Sequence, residues 1–473
     1  MGINRCSECW AKQEIIDRLT VENQSLKQRL RNRERKEREG FFGSSTPSSK
    51  LPVKPNSAEP MQGKPKGGQP GHCGGGGRKT FTQADRIVEV PGQVDTHCPD
   101  CGFPLQDKGT DKRSVIESQP LKAQQVLYRL PKSYCPHCKK TFKPSAPGVL
   151  PKGLYGNQLI STAATMHYLH GIPMGRICEQ IGIGPGSLIE IFHRLSGLFA
   201  GVCDQLIELY RQSWVRHADE TGWRREGING YTWLFATSRI SIFQFRNTRS
   251  AQVAKAVFGE KKLQGILVVD RYAGYNKVPC DIQYCYAHLL REVQDLEKEF
   301  PDSPEVKTFV NVMAPLLSLA MALRNQPITN EEFYTKAAEV KSEIVAAIEA
   351  PAKHAGIQYI QDIFYKNQAR MYHWAADRRI PADNNLAERD LRPTVIARKV
   401  SFGSQSDAGA NTRGILMSVL CTLKKQQLDV ASELKRVLDL LAEDISKNPF
   451  PLLFPNPGLL TNPQETSPPV PKA

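Results

Sequence analysis

The sequence predicts a multidomain chain of the α+β/α/β kind: small N-terminal modules, then a mixed sheet interrupted by helices. Three observations point there. Strand-like and helix-like runs alternate between residues 213 and 290, and a long, largely helical stretch follows at 289–380. Two CxxC pairs precede the sheet. Lys and Arg outnumber Asp and Glu by 63 to 48 in a chain of 473 residues, giving a net charge of +15. That excess favours a polyanionic partner, nucleic acid ahead of an anionic membrane. No apolar run is expected to reach the length of a membrane span, and the N-terminus carries no signal-peptide pattern. Both point to a cytosolic protein.

Residues 1–40 contain a charged helix with a seam at Ile16, Leu19, Asn23, Leu26 and Leu30. Steps of three and four, with one Asn at a core position, suit a two-stranded dimerising coil, although a lone solvated helix has the same pattern. Cys6 and Cys9 have no second pair nearby and stay unassigned. Residues 41–80 are rich in Pro, Gly, Ser and Lys and form a linker. Its basic second half either lies along phosphates or serves as a solvated tether.

Residues 81–148 hold CPDC at 98–101 and CPHC at 135–138. Each turn aims two thiolates at one centre, so Cys98, Cys101, Cys135 and Cys138 complete a tetrahedral Zn2+ shell. A closed four-thiolate shell has no open position and is structural. His97 and His137 are read as bystanders, and AQQVLYRL between the knuckles as a strand.

Residues 149–212 read as helices. GNQLISTAATMHYLH is one, and GIPMGRICEQIGIGPGSLIEIFHRL reads as helix, Gly-rich turn, helix. This outline fits a DNA-reading helix-turn-helix and equally fits two core helices. Next come a strand, WVRHAD, and a hairpin with Asn229-Gly230 as its turn. RISIFQF is a third strand, RSAQVAKAVFG a helix, GILVVD a buried parallel-type strand and YCYAH a further short strand. Three antiparallel strands, a helix and a parallel strand give the order of a ribonuclease-H-like sheet. The segment 213–445 is then one catalytic domain with its helical insertion at about 289–380. RKVSFGSQSDAGANTRG reads as a basic loop before a long helix, and residues 446–473 as a fraying Pro-rich tail.

Three acids stand out by position. Asp219 lies at or near the end of its strand, Asp270 ends GILVVD, and Glu388 begins the helix in NNLAERD. Strand-end acids face the crevice where ligands bind, and two or three carboxylates suit Mg2+. Each acid also has an ordinary alternative: a turn cap for Asp219, a partner in Arg271 for Asp270, an i,i+4 pair with Arg392 for Glu388.

HADETGWR (217–224), DRYAGYN (270–276), CYAH (285–288) and DNNLAERDLRP (383–393) together resemble the motifs of the Asp-Asp-Glu transposases of the insertion sequence 66 family. GGQPGH (67–72), the two knuckles and the N-terminal seam agree with it. The resemblance implies a ribonuclease-H-like catalytic core in which Asp219, Asp270 and Glu388 bind Mg2+ (or Mn2+). It implies strand cutting at transposon ends, followed by attack of the freed 3'-hydroxyl on target DNA. Cys285 and His288 match a Cys-x-x-His pattern and are read as positioning residues. Arg389, Arg392, Arg398 and Lys399 are expected to contact DNA phosphates. Partners implied are double-stranded DNA, a second copy or higher oligomer, and small accessory proteins of the element, with no membrane and a bacterial cytoplasmic, nucleoid-associated location. The sequence departs from the family at Arg271, at the residues after His288 and over 398–414. A domesticated, catalytically idle DNA-binding regulator is the alternative; the intact acids argue against it.

Overall fold

The structure, a computed structural model, describes residues 122–137, 139–142, 144–426 and 429–461, and the single positions 19, 23, 97, 101 and 104. Of the N-terminal seam, only Leu19 and Asn23 are therefore described, both helical and exposed; the rest of the coil and the whole linker lie outside the described residues. Lys122–Ala473 form one compact unit, and Met1–Leu121 are a separate one.

Two short strands, β1 (Ser133–Cys135) and β2 (Lys140–Phe142), pair antiparallel around the CPHC turn, with Cys135 opposite Lys140. The AQQVLYRL segment, expected as a strand, has no sheet partner among the described residues, and its Val126, Leu127 and Tyr128 are exposed. Helices α1 (Asn157–Tyr168), α2 (Met174–Ile181) and α3 (Pro185–Gln212) follow. Gly182, at φ 81°, ends α2, and Pro185 opens α3 at a position where its missing N–H costs nothing. The second helix of the helix-turn-helix outline is thus 28 residues long. Its Leu188, Phe192, Leu195, Phe199, Val202, Leu206 and Tyr210 are buried in the same core as the sheet.

The sheet contains β3 (Val215–Arg225), β4 (Ile228–Ala236), β5 (Ser241–Arg246), β6 (Ile266–Val269) and β7 (Asp281–Tyr284), in the spatial order β5-β4-β3-β6-β7. The first three are antiparallel; β6 is parallel to β3 and β7 to β6. Helix α4 (Ala251–Phe258) makes the crossover between β5 and β6. The β3–β4 turn is Glu226-Gly227, at φ 53° and 76°, and not Asn229-Gly230 as the sequence suggested. A two-residue turn of this hand needs positive φ at both positions. Gly230 serves differently: it lies in β4 opposite Trp223, where a Cβ would stand 3.0 Å from the carbonyl oxygens of both Trp223 and Arg246.

The last strand also begins earlier than expected. DIQY forms β7, while YCYAH spans its last residue, a helix cap and the first turn of α5 (Tyr286–Glu299). The insertion continues with α6 (Pro304–Leu323), α7 (Asn330–Glu349), α8 (Ala355–Lys366) and the short α9 (His373–Ala376). By length and composition α6 is apolar enough to cross a membrane, contrary to the sequence expectation. Its Val306, Phe309, Val310, Met313, Leu316 and Leu317 are buried within the core, which accounts for that composition.

Helix α10 (Asn385–Ser401) then lies against β3 and β4, and α11 (Asp407–Lys425) against β5 and α3. The segment expected as a basic loop at 398–414 is mostly helix; only residues 402–406 form the turn. Two hydroxyls of α11 serve the open edge of β5: Ser418 Oγ accepts from Phe243 N at 2.8 Å and Thr422 Oγ1 from Ser241 N at 3.1 Å. An edge satisfied in this way offers no template for another strand. Helices α12 (Val430–Glu443) and α13 (Pro449–Leu453) close the unit. The start of the tail does not fray: Phe450, Leu453, Phe454 and Leu460 are buried in the core.

Candidate active site

Successive side chains of a strand point to opposite faces of the sheet, so Asp219 and Glu220 in the middle of β3 enter different environments. Glu220 has a side chain only 1% exposed. Arg249 donates to its Oε1 from Nε at 2.8 Å and from Nη2 at 2.5 Å, and Tyr275 OH donates to its Oε2 at 2.5 Å. Burial pushes its pKa up, and the Tyr275 hydrogen bond and Arg249 charge oppose that. Glu220 is the acid that balances a neighbour.

Asp219 has no such cation. Among the described residues its Oδ1 accepts the Glu220 backbone N–H, at 2.9 Å. Burial, with the charges of Glu220 and Asp270, holds its carboxyl well above the usual carboxylate range, and Glu388 adds to the effect. The register explains the crowding. His217 on β3 stands beside Val268 on the parallel β6, so two residues further along Asp219 reaches the level of Asp270. Asp270 follows the last residue of β6, and its Oδ1 accepts from Tyr272 N at 2.9 Å. The neighbouring Arg271 does not pair with it; Arg271 binds Glu292.

Glu388 occupies the first turn of α10, as the sequence suggested. It pairs with Arg291 Nη2 at 2.9 Å rather than with Arg392. His288 Nδ1 lies 3.9 Å from Glu388 Oε1 and is buried without a hydrogen-bond partner. Burial and the nearby Arg291 lower the His288 pKa, against the pull of Asp270 and Glu388. The three acids and His288 therefore share one electrostatic neighbourhood. No group of three or more His, Cys, Asp or Glu side chains is arranged to hold a metal ion among the described residues.

What fixes α10 here is Asn384, the second residue of DNNLAERDLRP, for which the sequence suggests no role. It is buried, and three bonds converge on it. Its Oδ1 accepts from His217 Nδ1 at 2.8 Å, its Nδ2 donates to Ala218 O at 2.9 Å, and its backbone N donates to Cys285 Sγ at 3.1 Å. Cys285 in turn donates its own N–H to Val269 O at 2.8 Å, just before Asp270. Burial pushes the Cys285 thiol up to about 12, so it remains a neutral sulfur. The cysteine thus links the strand that carries Asp270 to the helix that carries Glu388. A second tie holds the same helix: Asp390 Oδ2 takes Lys425 Nζ at 2.5 Å and Ser241 Oγ at 2.8 Å.

Arg389, Arg392 and Lys399 are exposed on α10. Arg398 turns inward, donating to Thr221 Oγ1 at 3.2 Å and to Gly222 O. Of the four cysteines expected to bind zinc, Cys101 is exposed and Cys135 ends β1. Cys98, Cys138 and the Cys135 side chain lie outside the described residues. His97 bridges antiparallel to Pro104, bracketing CPDC much as β1 and β2 bracket CPHC.

Comparison with known proteins gives the class first: the family descriptions that match this chain are those of a transposase and of a transposase zinc finger. More narrowly, the chain belongs to the Transposase IS66 family, which matches residues 152–412. The zinc-finger binding domain of transposase IS66 matches residues 95–139, a span holding all four knuckle cysteines. Among relatives, "Uncharacterized protein y4qI" of Sinorhizobium fredii is 24% identical over 426 residues, covering 80% of this chain and 77% of the relative. "Uncharacterized protein y4hP" of the same organism is 23% identical over 417 residues, covering 76% and 73%.

Proposed function

We propose that this protein cuts DNA strands at the ends of an insertion sequence and joins the freed 3'-hydroxyls to target DNA, using Asp219, Asp270 and Glu388. The observation that carries this reading is the β3–β6 register, which sets Asp219 level with Asp270, while Glu388 occupies the first turn of the helix packed against β3. The strand order β5-β4-β3-β6-β7 supports a ribonuclease-H-like core.

By donor chemistry the three carboxylates suit a hard divalent cation, although they are not gathered into a metal-holding group among the described residues. Asp219 is a carboxylate held among other carboxylates without a cationic partner of its own, an arrangement that an Mg2+ or Mn2+ ion relieves. Asp219, Asp270 and Glu388 would hold it. When bound, such ions supply Lewis acidity for in-line phosphoryl transfer. The chain's own residues do the rest. Asn384 and Cys285 hold the glutamate helix against the aspartate strands. Arg249 and Tyr275 keep Glu220 engaged elsewhere. Arg389 and Arg392 offer phosphate contacts along the exposed side of α10. Cys98, Cys101, Cys135 and Cys138 suit a structural Zn2+. The zinc region and the α2–α3 pair are the candidates for reading transposon ends, and the N-terminal seam for pairing two subunits. Family membership supports action on DNA in the cytoplasm.

The test is a cleavage and strand-transfer assay with Asp219→Asn, Asp270→Asn and Glu388→Gln. Each should abolish cutting and leave DNA binding largely intact. A variant that still cuts removes its residue from the triad. Cutting without joined product in the native protein turns the reading into a plain nuclease.

A further inference from the structure

Phe402 closes α10 in a conformation that aromatic residues rarely adopt. Its φ is 61° and its ψ 0°, the left-handed position where helices commonly place glycine. The side chain is nonetheless 64% exposed, so burial of the ring does not compensate for the strain. The surrounding backbone holds it there. Phe402 N donates to Arg398 O at 2.9 Å, and Ser404 N donates to Arg224 O at 2.9 Å. Glu226 N donates to Ser404 O at 3.0 Å, and Trp223 Nε1 to Ser404 Oγ at 3.1 Å. Gly403, at φ 132°, lies so close to Arg224 that a Cβ would run into its carbonyl oxygen. The turn is clamped to the β3–β4 hairpin, and the ring stands out from a rigid mount.

The approach to this ring is basic and apolar. Arg389, Arg392, Ile396 and Val400 are exposed along α10 at helical spacing, between the turn that carries Glu388 and Phe402 itself. Positive charge along a helix side complements a phosphate backbone, and exposed apolar residues at its end suit a base stack.

We propose that Phe402 is a wedge that enters the base stack of double-stranded DNA lying along α10. This rests on the reading of Asp219, Asp270 and Glu388 as the cutting site. Fourteen residues separate Glu388 from Phe402 (402 minus 388), which at about 1.5 Å per helical residue is roughly 21 Å. At about 3.4 Å per base step, the wedge acts roughly six base pairs from the phosphate being cut. Opening the stack there bends the duplex and fixes the scissile phosphate in register with the acids.

The experiment uses the full chain with mixed-sequence duplexes carrying 2-aminopurine, a base whose fluorescence rises on unstacking. The native protein should raise the fluorescence on binding. At saturating protein, Phe402→Ala should abolish the rise while weakening binding by roughly 5- to 150-fold, and Phe402→Trp should retain it. Phe402→Gly should also abolish it and, by relieving the positive φ, raise the melting temperature, so loss of signal cannot be ascribed to unfolding. On a duplex whose cut site has been mapped, the signal should peak about six base steps from the cut. Binding and cutting by the native protein with no fluorescence change overturns the wedge and leaves the proposed function standing. Unstacking without any cutting has the opposite meaning. A Phe402→Ala chain that keeps the fluorescence change but loses self-association assigns the ring to a contact between copies and also overturns the wedge.

Discussion

His217 Nδ1 lies 2.8 Å from Asn384 Oδ1, inside the core, and this contact ties the strand that carries Asp219 to the residue that opens the Glu388 helix. The Asn384 amide nitrogen donates to Ala218 O, so its Oδ1 faces the ring as acceptor and the ring Nδ1 carries the proton. Burial lowers the His217 pKa to about 3, which keeps the ring neutral in that role.

Asn384→Ala removes both side-chain bonds and strands a buried N–H and a buried carbonyl. We expect a loss of roughly 2–4 kcal/mol in unfolding free energy, and a larger proportional loss of strand cleavage than of DNA affinity. Combined with His217→Phe, the two losses should fall short of their sum by about 1 kcal/mol. Denaturant melts of the four proteins check this; strict additivity removes the coupling.

Asp270 and Glu388 were legible because each sits where an element starts or ends, and strand ends can be recognised from short apolar runs such as ILVV. Asp219, expected at or near the end of its strand, lies in the middle of β3, because pairing with β4 carries the strand on to Arg225. Asn384 was not legible as a hub, since its partners are 167 and 99 residues away in sequence. Glu220 and Asp219 looked alike for the same reason: the difference between them is Arg249, set by a fold contact. The hairpin was visible but its turn was misplaced by three residues. Asn229-Gly230 has the better turn composition, yet Glu226-Gly227 leaves Trp223 buried and sets Trp233 and Phe235 in the core. Burial of aromatics outweighed local turn preference.

Asp219 and Glu220 should respond to amide substitution with opposite signs. Asp219→Asn removes a carboxylate that burial and like charges disfavour, so in metal-free buffer the variant should be more stable, by about 1 kcal/mol or more. Glu220→Gln leaves Arg249 and Tyr275 without their acceptor charge and should cost roughly 1–3 kcal/mol, the lower end reflecting the partly exposed Arg249. Thermal melts in chelator measure both. Destabilisation by both changes denies Asp219 its strained state.

Addition of Mg2+ or Mn2+ should raise the melting temperature of the native chain and leave that of Asp219→Asn nearly unchanged, because a ligand stabilises only the state that binds it. Arg291→Ala frees Glu388 from its 2.9 Å partner and should lower the half-saturating metal concentration by a few-fold. Calorimetric titration reads both effects, and an unchanged metal requirement in Arg291→Ala shows that the ion pair does not compete.

Removing one knuckle thiolate, as in Cys101→Ser, leaves a tetrahedral shell incomplete. Such a chain should retain well under one equivalent of zinc by elemental analysis. Its zinc-free segment should become more sensitive to protease, while residues 157–461 keep their melting transition. Full zinc retention would point to a different ligand set.

His167 gives the chain a stability that depends on acidity away from the acids. Its Nδ1 donates to Ile172 O at 2.9 Å and its Nε2 accepts from Arg413 Nη2 at 2.8 Å. Arg413 also lies 5.2 Å over both the Tyr168 and Trp223 rings; besides this guanidinium, the His167 ring meets the Tyr168 phenol edge-on and stacks on Phe192 at 5.8 Å. A protonated ring could not accept from the guanidinium. Burial first, and the Arg413 charge second, lower the His167 pKa from 6.5 to about 4. Between those values the unfolded chain binds a proton that the folded chain refuses, so stability falls as pH drops through that window. The slope this imidazole adds is about 1.4 kcal/mol per pH unit. Above pH 6.5 it adds nothing. His167→Gln should lower stability at neutral pH yet flatten the acid limb by that slope, measured by urea melts at successive pH values. Parallel limbs in the two proteins would mean that the ring titrates normally when folded, and that Arg413 is held by its aromatic neighbours alone.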